Sequence, residues 1–230
     1  MQIGTRDVDA VIFDFDGTLA DSMWVWDEVD RMFLAKRNIP YTDEFGEMIA
    51  VLGFELGADF AIEHFGLDES PEDIIEEWKS LAEEGYATNV MLKPGAFEYL
   101  QFCKEQGMPM AIATSLQRHL LEPALKNNDA FELFDTICVC DELQCGGKSN
   151  PAVYLEAARR LGVPAERCAI FEDVATAARS AKETGAYAVG VYDGHKQQAT
   201  DELKGIVDLF ITDYAELLDG MPQDSYHQVR

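Results

Sequence analysis

Ala10-Val11-Ile12-Phe13-Asp14-Phe15-Asp16-Gly17-Thr18-Leu19 is the stretch on which the reading of this chain turns. A short apolar run gives way to two carboxylates spaced i, i+2, then a glycine and a hydroxyl. An apolar segment of this length that stops at Asp and Gly reads as a buried parallel strand ending in a turn. In open α/β sheets, ligands sit in the crevice beyond the carboxyl ends of the strands. Asp14 and Asp16 are therefore expected to face one crevice. Two carboxylates held so close cannot both ionise comfortably unless a cation or a shared proton relieves the repulsion. A hard divalent ion with oxygen ligands gives that relief, and magnesium suits a few carboxylates plus a phosphate. A calcium loop of the EF-hand type does not fit, because it needs an acid or amide at 18 and glycine at 19, where Thr18 and Leu19 stand. On this stretch alone, an ordinary Asp-Gly turn after a strand stays open as the plainer alternative.

Length and composition set the outer bounds. A chain of 230 residues with 47% hydrophobic content can bury a core as one large domain or one domain carrying a smaller insertion. It has no apolar run of about 18 residues, so no spanning helix is expected. Its polar N-terminus has no basic region followed by an apolar stretch, so no signal peptide is expected either. The formal net charge of −25 argues against binding a phosphate backbone or an anionic membrane surface. That charge is explained for the most part by solubility. Cys103, Cys138, Cys140, Cys145 and Cys168 are odd in number and lack metal-pair spacing. They read as free thiols, mostly buried, in a reducing cytoplasm.

After a polar lead-in over residues 1–9, a strand is expected at about Val8–Phe15. The pattern is then helical from Asp21 to about Ala87. One helix opens at Met23-Trp24-Val25-Trp26 and runs to about Lys36, broken by Asn38-Ile39-Pro40. Thr42 can cap a second helix, with Asp43 and Glu44 favouring its dipole. A third is expected near Glu55–Phe65, ending at Gly66. Ser70-Pro71-Glu72-Asp73 starts a further amphipathic helix. Strand and helix alternate from there. Strands are expected at Met108–Ala113, Thr136–Cys140, Cys168–Phe171, Tyr187–Val191 and Leu209–Ile211, with helices between them as far as Gly185. The tail Met221–Arg230 is expected to fray. The fold class that follows is α/β: a Rossmann-like parallel sheet with helices on both faces and an α-helical insertion after the first strand. Residues 1–20 and 88–230 form the core, and residues 21–87 form the insertion.

Further polar groups finish the later elements. Thr114-Ser115 brings hydroxyls and backbone N–H groups at a helix start, suited to gripping a phosphate. Lys148 follows Gly146-Gly147 and can place an ammonium near the same crevice. Glu172-Asp173 adds two carboxylates at a strand end. Each has a plain reading of its own: a cap, a solvated lysine, first-turn acids favoured by the helix dipole. All of them at one end of one sheet are hard to explain that way together.

In order and spacing, Asp14-Phe15-Asp16-Gly17-Thr18, Thr114, Lys148 and Glu172-Asp173 resemble the four motifs of the haloacid dehalogenase-like hydrolase superfamily. The helical block resembles the cap of its phosphoglycolate phosphatase and β-phosphoglucomutase branch, and the likeness spans about residues 8–219. The resemblance implies that Asp14 is the nucleophile on phosphorus, forming an aspartyl-phosphate. It implies that Asp16 protonates the leaving alcohol and then activates water. Lys148 would offset phosphoryl charge, with Thr114, Ser115 and backbone amides holding the oxygens. Mg2+ would be held by Asp14, the backbone carbonyl of Asp16 and Asp173, with Glu172 a ligand directly or through water. An acid at position 16 favours phosphate-ester chemistry over dehalogenation, since a departing halide needs no proton. The chain departs from the family pattern at Val174 and Ala177, where Ser and Gly are usual.

The expected function is thus a Mg-dependent phosphatase acting on a small phosphorylated metabolite, in the cytoplasm, as a monomer or weak homodimer. Neither nucleic acid nor membrane is an expected partner. A sugar-phosphate mutase is the alternative. It would need cations for a second phosphate, yet between Asn38 and Trp78 there is no Lys or Arg against twelve Asp and Glu. His64, Arg31, Lys36, Arg37 and Arg118 are the remaining options. Trp24 and Trp26 read more readily as packing than as substrate contacts. A regulatory relative that had lost activity should lack Asp14, Asp16, Lys148 or Asp173, and all four are present. Hinges are expected near Leu19–Ser22 and Ala87–Pro94.

Overall fold

The computed structural model describes residues 1–195 and 198–218, and the tail Met221–Arg230 lies outside the described residues. The chain divides into two compact units, one of Met1–Ser22 with everything from Met91 onward, the other of Met23–Val90. Six parallel strands carry the first unit: β1 (Ala10–Phe13), β2 (Met110–Thr114), β3 (Thr136–Val139), β4 (Cys168–Glu172), β5 (Tyr187–Val191) and β6 (Leu209–Ile211). Their order across the sheet is β6-β5-β4-β1-β2-β3. Helices α1 (Trp24–Lys36), α2 (Asp43–Phe65) and α3 (Pro71–Thr88) build the second unit. Helices α4 (Ala96–Glu105), α5 (Arg118–Asn127), α6 (Ala152–Leu161) and α7 (Ala175–Glu183) lie in the first.

β1, β2, β4 and β5 are buried at every residue, which is why they read as continuous apolar runs rather than alternating ones. Alternation shows instead in which face each residue supplies. Ala10 and Ile12 pack with Val153, Tyr154, Ala157 and Ala158 of α6. Phe13 points the other way, into an aromatic group with Tyr99 and Phe171, to which Tyr214 stacks. Register then fixes the site. Phe13 pairs with Phe171 on one side and Ile112 on the other, so Asp14 and Glu172 leave the sheet side by side and Thr114 emerges nearby.

In the second unit Phe33 and Trp78 meet edge to face at 5.2 Å. Ser70 accepts the Asp73 N–H as the α3 cap. Thr42 accepts the Phe45 N–H as the α2 cap.

Four features differ from the sequence reading. The lead-in contains a small antiparallel ladder, Gln2–Ile3 with Arg6–Asp7. The stretch expected as two helices is one, Asp43–Phe65. One glycine inside it serves close packing, since a Cβ on Gly46 would strike the Tyr41 hydroxyl. Ala20–Asp21 pairs with Met91–Leu92 at the two chain crossings, a two-residue ladder too short to leave a periodic signal. Thr200–Lys204 forms a short helix. No helix among the described residues is long and apolar enough to cross a membrane.

Candidate active site

Asp14 follows directly from β1 and is 4% exposed, anchored by its own N–H donating to the Phe171 carbonyl at 3.1 Å. The Lys148 ammonium lies 2.6 Å from Asp14 Oδ1 and 2.8 Å from Glu172 Oε1. Lys148 is thus no solvated surface lysine. The loop before α6 carries it into the crevice, turning through Gly146 and Gly147, both at positive φ. Burial alone would lower its pKa, but the Asp14 and Glu172 carboxylates outweigh that and hold it charged.

The acids around it are frustrated. Glu172 is pushed up to about 8, chiefly by burial and further by Asp14 and Asp173, against the pull of Lys148. Asp173 is pushed up to about 7 by burial and then by the Asp14 carboxylate. Thr18 joins the two sides, its hydroxyl 3.0 Å from Asp173 Oδ1 and 3.4 Å from Asp14 Oδ2. Tyr154 donates to Glu172 Oε1 at 2.7 Å, so one oxygen of Glu172 serves both Tyr154 and Lys148. The other, Oε2, is buried with no hydrogen-bond partner.

Asp14, Glu172 and Asp173 each offer an oxygen within 4.8 Å of the others. An all-oxygen donor set with an orphaned buried carboxylate oxygen fits a hard divalent cation.

Asp16 stands apart from that trio. It is half-buried, and its Oδ1 accepts the Ser22 hydroxyl at 2.6 Å. Thr114 Oγ1 accepts the Leu116 N–H at 3.0 Å, a turn contact ahead of α5, whose N-cap is Gln117, and this leaves the Thr114 hydroxyl hydrogen to donate. The Ser115 hydroxyl reaches the Cys140 sulfur at 3.6 Å. Arg118 is tied to Glu142, Nη2 to Oε2 at 2.8 Å, and to Glu122 at 3.4 Å. Cys103, Cys138, Cys140 and Cys168 are buried free thiols, raised by burial to about 12, 11, 11 and 12 respectively. None of those four is a candidate nucleophile at neutral pH. Sequence reasoning missed Ser22 and Tyr154 as supports. Only their side-chain chemistry marks them, and neither falls in a motif.

The haloacid dehalogenase-like hydrolase family model matches residues 11–191, which span every residue of the site described above. The chain belongs to that family. Its curated relatives include phosphatases. It is 30% identical to the phosphorylated carbohydrates phosphatase of Thermotoga maritima, over 77% of this chain and 82% of that one. It is 31% identical to hexitol phosphatase B of Escherichia coli K12, over 73% and 76%. A solved haloacid dehalogenase-family hydrolase from Deinococcus radiodurans R1, with phosphate and sodium bound, superposes with a TM-score of 0.72 at 26% identity, covering 91% and 93%.

Proposed function

We propose that this hydrolase is a Mg2+-dependent phosphatase of small phosphorylated metabolites, a sugar or polyol phosphate being the class its relatives favour. The observation that carries the reading is the Lys148 ammonium bridging Asp14 and Glu172, beside a Glu172 oxygen left unpartnered. A carboxylate nucleophile must attack a dianionic phosphate, and such an attack needs positive charge fixed beforehand at the phosphoryl oxygens.

In this reading an Asp14 oxygen attacks phosphorus and the ester P–O bond breaks. Asp16 gives its proton to the departing alkoxide. It then takes a proton from the water that attacks the aspartyl-phosphate, which frees inorganic phosphate and restores Asp14. Lys148 stabilises the transferring oxygens, and Thr114 and Ser115 position them. Asp14, Glu172, Asp173 and the Asp16 carbonyl would hold the magnesium, which supplies charge neutralisation when bound. Residues 21–87 take the role of cap and residues 1–20 with 88–230 that of catalytic core.

Three of the cations that a bisphosphate intermediate could use are paired with carboxylates, and Arg31 lies over the Tyr41 ring. Arg37 pairs with Glu69 and Glu77, Lys36 with Glu77, and Arg118 with Glu142. The reading is tested by phosphate release with Mg2+ from a panel of sugar, polyol and nucleoside monophosphates, comparing wild type with Asp14→Asn. Release that disappears in Asp14→Asn is expected. Isomerisation of β-glucose 1-phosphate without free phosphate, or turnover that survives Asp14→Asn, would overturn it.

A further inference from the structure

A second buried charged group lies outside the residues to which the reaction assigns roles. Lys93 follows the short strand Met91–Leu92, and its side chain is only 10% exposed. Its ammonium donates to the Gly17 carbonyl and, at 2.8 Å, to the Tyr192 carbonyl. It also lies 3.0 Å from Asp193 Oδ1, whose side chain is 3% exposed. The Lys93 N–H donates to the Leu19 carbonyl at 2.8 Å, so backbone and side chain grip the same loop at two points.

The network continues to the far side of the site. The Asp193 N–H donates to Gln198 Oε1 at 3.0 Å, while Gln198 Nε2 donates to the Asp173 carbonyl at 3.1 Å and the Val191 carbonyl at 2.8 Å. One chain of contacts, charged at Lys93 and neutral through Gln198, thus runs from the 16–19 loop to the backbone of Asp173.

The loop it holds has little slack. Gly17 sits at φ +70°, and a Cβ there would strike the Asp173 carboxylate. Asp16 is the neighbour of the carbonyl that Lys93 holds, and Thr18, next along, bridges Asp14 and Asp173. An ammonium in the interior is expensive unless paired and fully hydrogen-bonded. Lys93 is charge-paired by Asp193 and hydrogen-bonded by the Gly17 and Tyr192 carbonyls, and only while these stay in place. Exchanging it for an apolar side chain would cost the loop its anchor and leave Asp193 buried without its counter-charge.

We propose that Lys93, with Asp193 as its partner, is a positioning residue that sets the 16–18 loop and through it the Asp16 side chain. This rests on the role assigned above to Asp16. A misplacement of an acid–base group by about 1 Å costs on the order of a hundredfold in turnover.

The test compares Lys93→Met, Lys93→Arg and Asp193→Asn with wild type, well below each variant's melting temperature. Hydrogen–deuterium exchange is read on the metal-free, substrate-free protein. The amides of Gly17, Thr18, Leu19 and Ala20 donate within the loop, to the carbonyls of Ala20 and Phe15, so exchange there reports its order. Exchange in residues 15–20 should rise about tenfold in Lys93→Met while β4 stays protected. On a substrate that wild type turns over, kcat should fall ten- to a hundredfold with KM changed less than about threefold. Lys93→Arg should recover part of the loss.

Unchanged exchange over residues 15–20 overturns the inference, whatever the activity. So does a wild-type kcat in Lys93→Met with only a lower melting temperature. If Lys93→Met does not fold, Asp193→Asn carries the same two readouts. A wild type that releases no phosphate from any substrate would sink the functional reading and leave the exchange result to decide this one.

Discussion

Asp30 is a carboxylate placed where a carboxylate lowers stability. It lies on the buried side of α1 with Val25, Val29, Phe33 and Leu34 and is 6% exposed. Burial, and secondarily the charge of Asp27 one turn earlier, push its pKa from 3.8 up to about 7. The sign follows from proton counts. Below about pH 4 the group is protonated in both states and contributes nothing. As pH rises from about 4 to about 7, the unfolded chain gives up the proton and the folded chain keeps it. The fold therefore loses stability across that window, and above pH 7 the loss is constant. A shift of about three units at about 1.4 kcal/mol each gives a ceiling of about 4 kcal/mol.

Asp30→Asn keeps the shape and removes the charge. It should stabilise the second unit by about 2–4 kcal/mol at pH 8 and by progressively less toward pH 5. Urea unfolding followed by tryptophan fluorescence at pH 5, 6.5 and 8 measures it, since Trp78 is buried in that unit. A gap between variant and wild type that is the same at all three pH values would refute the argument. A wild type more stable than Asp30→Asn at pH 8 would refute it outright.

Two further outcomes follow from the site. Gly17→Ala must place a Cβ at positive φ against the Asp173 carboxylate, so it should lose about 1–3 kcal/mol of stability and at least about tenfold in kcat; calorimetry and phosphate release check the two halves, and a fully active Gly17→Ala would contradict the geometry. Mg2+ at about a hundred times its dissociation constant should stabilise the protein by about 2.7 kcal/mol, seen as a rise in melting temperature that EDTA reverses and that Glu172→Gln with Asp173→Asn abolishes.

The strand ends were legible in the sequence because the chemistry there is dense. Asp14, Asp16, Lys148 and Glu172-Asp173 are charged groups at the close of apolar runs or glycine turns, and such groups have few structural uses in those places. The parallel sheet followed from buried strands with no alternation, and Tyr187–Val191 and Leu209–Ile211 fall at the residues the apolar runs mark. Lys93, Asp193, Gln198, Tyr154 and Ser22 were not legible. Each acts through a contact whose sequence separation is set by tertiary placement, such as Lys93 with Asp193 or Tyr154 with Glu172. No periodicity encodes such pairs. The continuous helix Asp43–Phe65 escaped for a related reason: the place of Gly46 against Tyr41 is a property of the packed unit.

The distribution of charge explains why the site needs more than its motif residues. Three buried carboxylates, Asp14, Glu172 and Asp173, face one ammonium, Lys148. Ionised, that set is net negative before any phosphate arrives, in a chain of net charge −25, and a dianionic ester would be repelled from it. The raised pKa values of Glu172 and Asp173 are the same fact seen from the acids: without added positive charge they hold protons instead. The chain answers part of the problem with neutral donors. Tyr154 and Thr18 hydrogen-bond the carboxylates without adding charge, and they fix which oxygens stay open. Glu172 Oε2 is the one left buried without a hydrogen-bond partner. The site therefore has a negative balance, rigidly held oxygens and a single lysine. A hard cation held among these oxygens would offset that balance before a phosphate ester enters.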